Sequence, residues 1–263
     1  MTYPYGIKGQ ELKEYVLAHG AFSPERNLEI YNRWFKGSPR YLFKAADERY
    51  HFSKKPFCDA GCSYGMNLIW TCPESYGIEI VPDYVNFAKG LGLQSYERDL
   101  VSSDLSDLPK VDALWCCAVL EHVDSPHMML RRMWTLLNPE GRIFIWVPTI
   151  PGFPWRYMRY IPFMRKHMVA HTHSDHINAF TPATIRFMCE RAGFDTIEVN
   201  AMYPKPFGWL GRFLFVLDGV MYVGKRREAT YFGGSWRKGK AAYFDGTSTD
   251  PISPQGMSRP ATK

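Results

Sequence analysis

The run Phe57-Cys58-Asp59-Ala60-Gly61-Cys62-Ser63-Tyr64-Gly65 passes from an apolar stretch into a glycine-containing turn. Glycines at 61 and 65 permit backbone angles and a close ligand approach that a side chain would block. Such a turn is common on its own, but here acids follow it at regular stations. Glu79 ends the next apolar run, 20 residues after Asp59, where a carboxylate can hold the two hydroxyls of a ribose. A further predicted strand ends near Arg98-Asp99-Leu100. Three carboxylates at three successive strand ends point to a ligand site more than to chance packing.

The spacing also says which ligand. Gly61-x-Ser63-x-Gly65 is not the Gly-x-Gly-x-x-Gly pattern that seats a pyrophosphate on a helix N-terminus. An acid just before the turn repels phosphate and suits a cation. S-adenosylmethionine carries a ribose, an adenine, an ammonium and a sulfonium, and no phosphate. It fits these residues better than a nicotinamide dinucleotide does.

The elements that must position these residues are legible from the hydrophobic pattern. Between Phe57 and Pro148, short apolar runs alternate with amphipathic stretches, which predicts βα units and a doubly wound, mostly parallel α/β sheet. Strands are expected at Pro56–Ala60, Tyr76–Ile80, Ser95–Arg98, Ala113–Cys117 and Arg142–Val147. Helices are expected at Gly65–Thr71, Pro82–Gly90 and Pro126–Leu137, the last stopped by a turn at Asn138-Pro139-Glu140-Gly141. Thr181-Pro182 reads as an N-cap with Pro in the first turn, opening a helix that ends at Ala192-Gly193; Phe194–Asn200 alternates like a strand. Residues 1–54, with helix-like segments at Gly9–His19 and Pro24–Phe35, form an expected N-terminal helical layer. The main domain spans 55–243 with an inserted cap at about 151–180, and the Gly-, Ser- and Pro-rich residues 244–263 form a loose tail.

From Phe57 to about Asn200 the chain resembles the class I S-adenosylmethionine-dependent methyltransferases, in particular those whose fourth strand leads into Val-Leu-Glu-His-Val. That segment is Val119-Leu120-Glu121-His122-Val123 here, after Val111-Asp112-Ala113-Leu114-Trp115-Cys116-Cys117. Leu136-Leu137-Asn138-Pro139-Glu140-Gly141-Arg142 is similar to the family's turn before strand five; His176-x-x-x-Phe180-Thr181 and Ala192-Gly193-Phe194 resemble its closing helix and strand. By position, the resemblance implies that Asp59, Gly61, Cys62, Ser63 and Gly65 line the methionine end of the cofactor. It implies that Glu79 takes the ribose hydroxyls, Ile80 packs on the adenine, and Asp99 with Leu100 meets the adenine amino edge. Cys116, Cys117 and Ala118 would lie beside the sulfonium. Ser63 stands where many relatives have a second glycine, so either the turn is tighter or the serine donates a hydrogen bond.

Acceptor chemistry is less legible. His122 could act as general base toward an attacking hydroxyl, or Glu121-His122 could simply anchor the loop after strand four. His171 and His173, with His167, Asp175 and His176 nearby, offer a substrate-facing base or, less readily, metal ligands; His-x-His-x-x-His is no well-marked zinc spacing, and no metal is expected. Trp155–Lys166 mixes aromatics with four basic residues, which could clamp a glycan, touch a phosphate, rest on a membrane surface, or form a cap helix with solvated charges.

Composition narrows the class. A chain of 263 residues, 46% hydrophobic, can bury a full core. Its longest apolar runs fall far short of the ~20 residues of a bilayer span, and the N-terminus lacks a secretory signal pattern, so a cytoplasmic protein is expected. The six cysteines sit mostly in apolar runs without Cys-x-x-Cys spacing, as packed free thiols do. The net charge of +6 is spread along the chain, with no basic arm or base-methylating signature, and nucleic acid is not an expected partner. The expectation is O-methylation of a small molecule, sugar or lipid-linked acceptor, leaving S-adenosylhomocysteine. The alternatives are N- or C-methylation of a small metabolite, and a non-catalytic protein that binds the cofactor. Oligomeric state is open.

Overall fold

The computed structural model describes residues 6–148, 176–202 and 219–227. Seven strands form one sheet: β1 Phe57–Ala60, β2 Tyr76–Glu79, β3 Gln94–Glu97, β4 Val111–Cys117, β5 Leu137–Pro148, β6 Phe194–Met202 and β7 Gly219–Arg226. Their spatial order is β3-β2-β1-β4-β5-β7-β6. The first five pair in parallel, whereas β7 runs antiparallel between β5 and β6. This is the doubly wound α/β sheet expected from the sequence. The chain moves outward from β1 to β3 and then returns to lay β4 on the other side of β1. Such a reversal opens a crevice at the carboxyl ends of the two central strands.

Period-two alternation sorts the strand side chains into two cores. Cys58, Ala60, Leu114, Cys116, Ile143 and Ile145 pack with residues of α5 (Pro126–Leu136) and α6 (Pro182–Ala192). Phe57, Trp115 and Phe144 face the other side, against α1 (Gly9–His19), α2 (Pro24–Ile30) with its π-helical continuation Tyr31–Phe35, α3 (Tyr41–Tyr50) and α4 (Pro82–Gly90). The N-terminal helices therefore complete the core of the sheet: Leu12, Val16, Phe35 and Phe43 are buried with it. Phe43 meets Phe52, Phe57 and Trp115 edge-on, a favoured arrangement of ring quadrupoles.

Two expected elements differ. The helix expected over Gly65–Thr71 is a tight turn followed by a 3₁₀ segment, Leu68–Trp70. Gly65 is left-handed at φ +82°, successive N–H groups reach three residues back, and Thr71 Oγ1 donates to the Leu68 carbonyl at 2.9 Å. The chain thus tightens before an α-helix can propagate. The turn at Asn138–Gly141 is a bulge inside β5: the register passes from Val111–Leu137 to Ala113–Arg142, and Glu140 sits at φ +67°. By contrast, α6 opens on Thr181 as a reciprocal capping box with Thr184 and closes on Gly193 at φ +106°.

Residues 149–175, which hold most of the expected cap with Trp155–Lys166, His167, His171, His173 and Asp175, lie outside the described residues, as does the 244–263 tail. No helix among the described residues is long and apolar enough to cross a membrane.

Candidate active site

A cavity of about 800 Å³ opens where β1, β2 and β4 end. At the end of β1 the backbone must turn sharply. Gly61 (φ +77°), Ser63 (φ +49°) and Gly65 (φ +82°) alternate in the left-handed region. Glycine adopts this region freely and serine at a cost. Ser63 accordingly occupies a conformation that glycine favours, and its N–H donates to Glu79 Oε2 at 2.9 Å. A Cβ on Gly61 would stand 2.4 Å from Val119 Cγ2, so the turn lies directly on the loop after β4.

The three carboxylates differ in setting. Asp59 is 2% exposed. Burial pushes its carboxyl up to about 7, opposed by a 3.0 Å hydrogen bond from Asn67 Nδ2 and reinforced by the charge of Glu79. Glu79 is fixed by three backbone donors, Ser63 N on one oxygen and Ile80 N and Val81 N on the other. Asp99 is partly buried; that burial disfavours its charge, but hydrogen bonds from Ser102 and the Val101 N–H outweigh it and hold the carboxyl below its ordinary range. All three line the one cavity, together with Gly61, Cys62, Ser63, Ile80, Leu100, Cys117, Ala118 and His122. Ile80 is 61% exposed there, an apolar side chain left in the open at the rim.

Gly65 and Cys116 do not line it. A Cβ on Gly65 would meet Leu93 and Ala88, so this glycine lets the turn pack on α4. Cys116 belongs to the core on the opposite face of the sheet. Cys117 follows it on the cavity side, and burial pushes its thiol up to about 12, so it stays protonated at neutral pH and is a poor nucleophile. His171 and His173 lie outside the described residues. Trp34, Arg40, Phe43, Asn67, Tyr84 and Val119 also line the cavity. Of these, Asn67 had a signal in the sequence: it is the one polar residue in Met66-Asn67-Leu68-Ile69-Trp70.

The wall that carries His122 is built on the loop after β4, where Glu121 is 1% exposed. The chain re-enters the described residues against this loop. Ile177 N and Asn178 N donate to the Glu121 carbonyl, and Asn178 Nδ2 donates to the carbonyls of Leu120 and Val123. This clamp stacks His176 edge-to-face on His122, with ring centroids 4.7 Å apart. Ligand atoms of Glu121, His122 and His176 come within 4.8 Å of one another, a donor set a divalent cation could use, although the clamp already explains why they meet.

A family model described as a methyltransferase domain matches residues 30–199, well over half of the chain. The ubiquinone biosynthesis O-methyltransferase of Aeromonas salmonicida is 33% identical over 165 residues, covering 58% of this chain and 68% of that protein. The protein of the same name from Neisseria meningitidis serogroup C is 30% identical over 94 residues, 35% of this chain and 38% of its own length. A solved S-adenosylmethionine-dependent methyltransferase from Archaeoglobus fulgidus superposes with a TM-score of 0.54 at 19% identity, covering 75% of this chain and 98% of that one.

Proposed function

The chain belongs to the class I S-adenosylmethionine-dependent methyltransferases, and on that premise we propose that it methylates a hydroxyl oxygen of a small molecule, with His122 as the base. The cavity's own residues suit the cofactor. Three carboxylates and no phosphate-binding turn line it, and the buried Asn67 Oδ1 has no hydrogen-bond partner, among the described residues. When bound, S-adenosylmethionine supplies an electrophilic methyl group.

The roles follow from position. Asp59 would face the ammonium, the pre-fixed Glu79 would receive the ribose hydroxyls, Ile80 would cover the adenine, and Asp99 with Leu100 would meet its edge. The loop Cys117–Ala118 would border the reacting carbon, and the neutral Cys117 thiol would not compete for the methyl group. His122, half-exposed on the cavity wall and buttressed by Glu121 and His176, would take the acceptor's proton as its oxygen attacks. Holding both reactants in line contributes most of the acceleration, and the base adds to it for a weakly acidic hydroxyl. His171 and His173 are the further candidates for that base. The O-methyltransferase names of the curated relatives support oxygen as the acceptor atom; a lipid-linked or glycan acceptor remains within the same proposal.

The observation that carries this reading is the convergence of Asp59, Glu79, Asp99 and His122 on one cavity. Calorimetry with S-adenosylmethionine and S-adenosylhomocysteine, then a product-release assay over phenolic, sugar and prenylated hydroxyl acceptors, tests it. His122→Ala should leave nucleoside affinity within about two-fold and lower kcat about 100-fold or more. Unchanged turnover would move the base to another residue. It would also favour a second reading that the Glu121–His122–His176 clamp supports: N- or C-methylation, with His122 purely a support.

A further inference from the structure

Among the described residues Asn67 is the only carboxamide on the cavity wall, and it is 6% exposed. It sits in the turn after Gly65, flanked by Met66 and Leu68. Its two polar ends have unequal fates. Nδ2 donates to Asp59 Oδ2 at 3.0 Å, whereas Oδ1, shielded from solvent, has no hydrogen-bond partner among the described residues. A buried carbonyl-type oxygen left in this state opposes folding unless a donor meets it in the functional state.

We propose that Asn67 is a specificity-determining residue for the amino-acid end of the cofactor: Oδ1 accepts an N–H from its ammonium while Nδ2 holds the Asp59 carboxylate beside the same group. The assignment rests on the cofactor occupying this cavity. An ammonium brings three donors and a positive charge. The pair offers one amide oxygen and one carboxylate, both dry, with the amide fixing where the carboxylate points. Neither group can serve a nucleoside that lacks the amino acid. The adenosine end is held elsewhere, at Glu79, Ile80 and Asp99, so the two ends of the ligand can be tested separately.

The experiment is calorimetry on the full chain with three probes: S-adenosylhomocysteine, its desamino analogue, and 5′-methylthioadenosine, which keeps the nucleoside and thioether but has no amino acid. In the wild type, the desamino analogue should bind at least about ten-fold more weakly than S-adenosylhomocysteine. Asn67→Leu, close in shape and unable to hydrogen-bond, should weaken S-adenosylhomocysteine by a similar factor and change 5′-methylthioadenosine by less than about two-fold. Retained 5′-methylthioadenosine binding shows that the variant is folded; the wild-type comparison needs no variant at all. Equal affinity for the amino and desamino compounds, or an equal loss of both probes in Asn67→Leu, would overturn the assignment. If none of the three probes binds the wild type, the cavity is not the cofactor site and the assignment falls with it.

Discussion

Burial and the charge of Glu79 from β2 oppose the ionisation of Asp59, against the hydrogen bond from Asn67, and its own charge in turn pushes up the thiols of Cys58, Cys62, Cys116 and Cys117. Its folded value of about 7 lies above the unfolded one, so the folded chain binds the extra proton and this group's contribution to stability falls as pH rises from about 4 to about 7. A cation seated against the carboxylate reverses that penalty. The rise in Tm given by S-adenosylhomocysteine should therefore be larger at about pH 7.5 than at about pH 5.5, and binding near neutrality should release part of a proton. Melting curves at both pH values and calorimetric heats in buffers of different ionisation enthalpy read the two effects; equal Tm gains would show that Asp59 does not meet the cation. The neighbouring turn gives a second test. Ser63→Gly relieves a left-handed side chain and should stabilise the fold by about 0.5–1 kcal/mol, the strain relief exceeding the entropy that glycine adds to the unfolded chain. Gly61→Ala meets Val119 and should cost about 1–3 kcal/mol. Denaturant midpoints check both, and Val119→Ala should restore only the steric part.

Among the elements, the segment His176–Asn178 ties the chain back to the loop after β4. Asn178→Ala removes two side-chain hydrogen bonds, to Leu120 and Val123, and should cost about 1–2 kcal/mol of stability. Because the clamp orients His122, the variant should also raise KM for the acceptor and leave nucleoside affinity unchanged; initial-rate kinetics beside a titration would separate the two. How far the sequence anticipated these elements follows from what sets each one. Strands β1, β2 and β4 were legible to within a residue or two because their buried apolar runs end at turn residues, and α4 and α6 because Pro82, Thr181 and Gly193 mark their ends; β3 lies within a residue of its expected place although Gln94–Glu97 is no apolar run. The stretch after Gly65 misled because Met66–Trp70 is apolar enough for a helix, while the decisive terms are a left-handed glycine and a side-chain bond from Thr71. The acids on the cavity were visible as strand-end residues. Trp34, Arg40 and Phe43 were not, since only tertiary packing brings the helices of residues 24–50 to the end of a strand that starts at Phe57.

For the molecule as a whole, the reversal between β1 and β4 places the site, and that followed from the order of apolar runs. Strand β7 was absent from the sequence reading, because an antiparallel strand slotted between β5 and β6 has no local signature beyond a buried run, Gly219–Tyr222. Its docking depends on Gly219, where a Cβ would strike the Trp146 ring at 2.5 Å. Gly219→Val should destabilise the chain by about 2 kcal/mol or more, read as a lowered midpoint of thermal or denaturant unfolding. The same end of the sheet holds both attachment points of residues 149–175: β5 leaves at Pro148, beside β4, and the chain is caught again at Ile177 by the Glu121 carbonyl. A stretch that joins the described residues at these two points can vary in sequence without disturbing the register of any strand. If the acceptor meets residues 149–175, as the proposed function has it, kindred enzymes would gain new acceptors by recombining that one stretch, with the strand ends that carry Asp59, Glu79 and Asp99 left as they are.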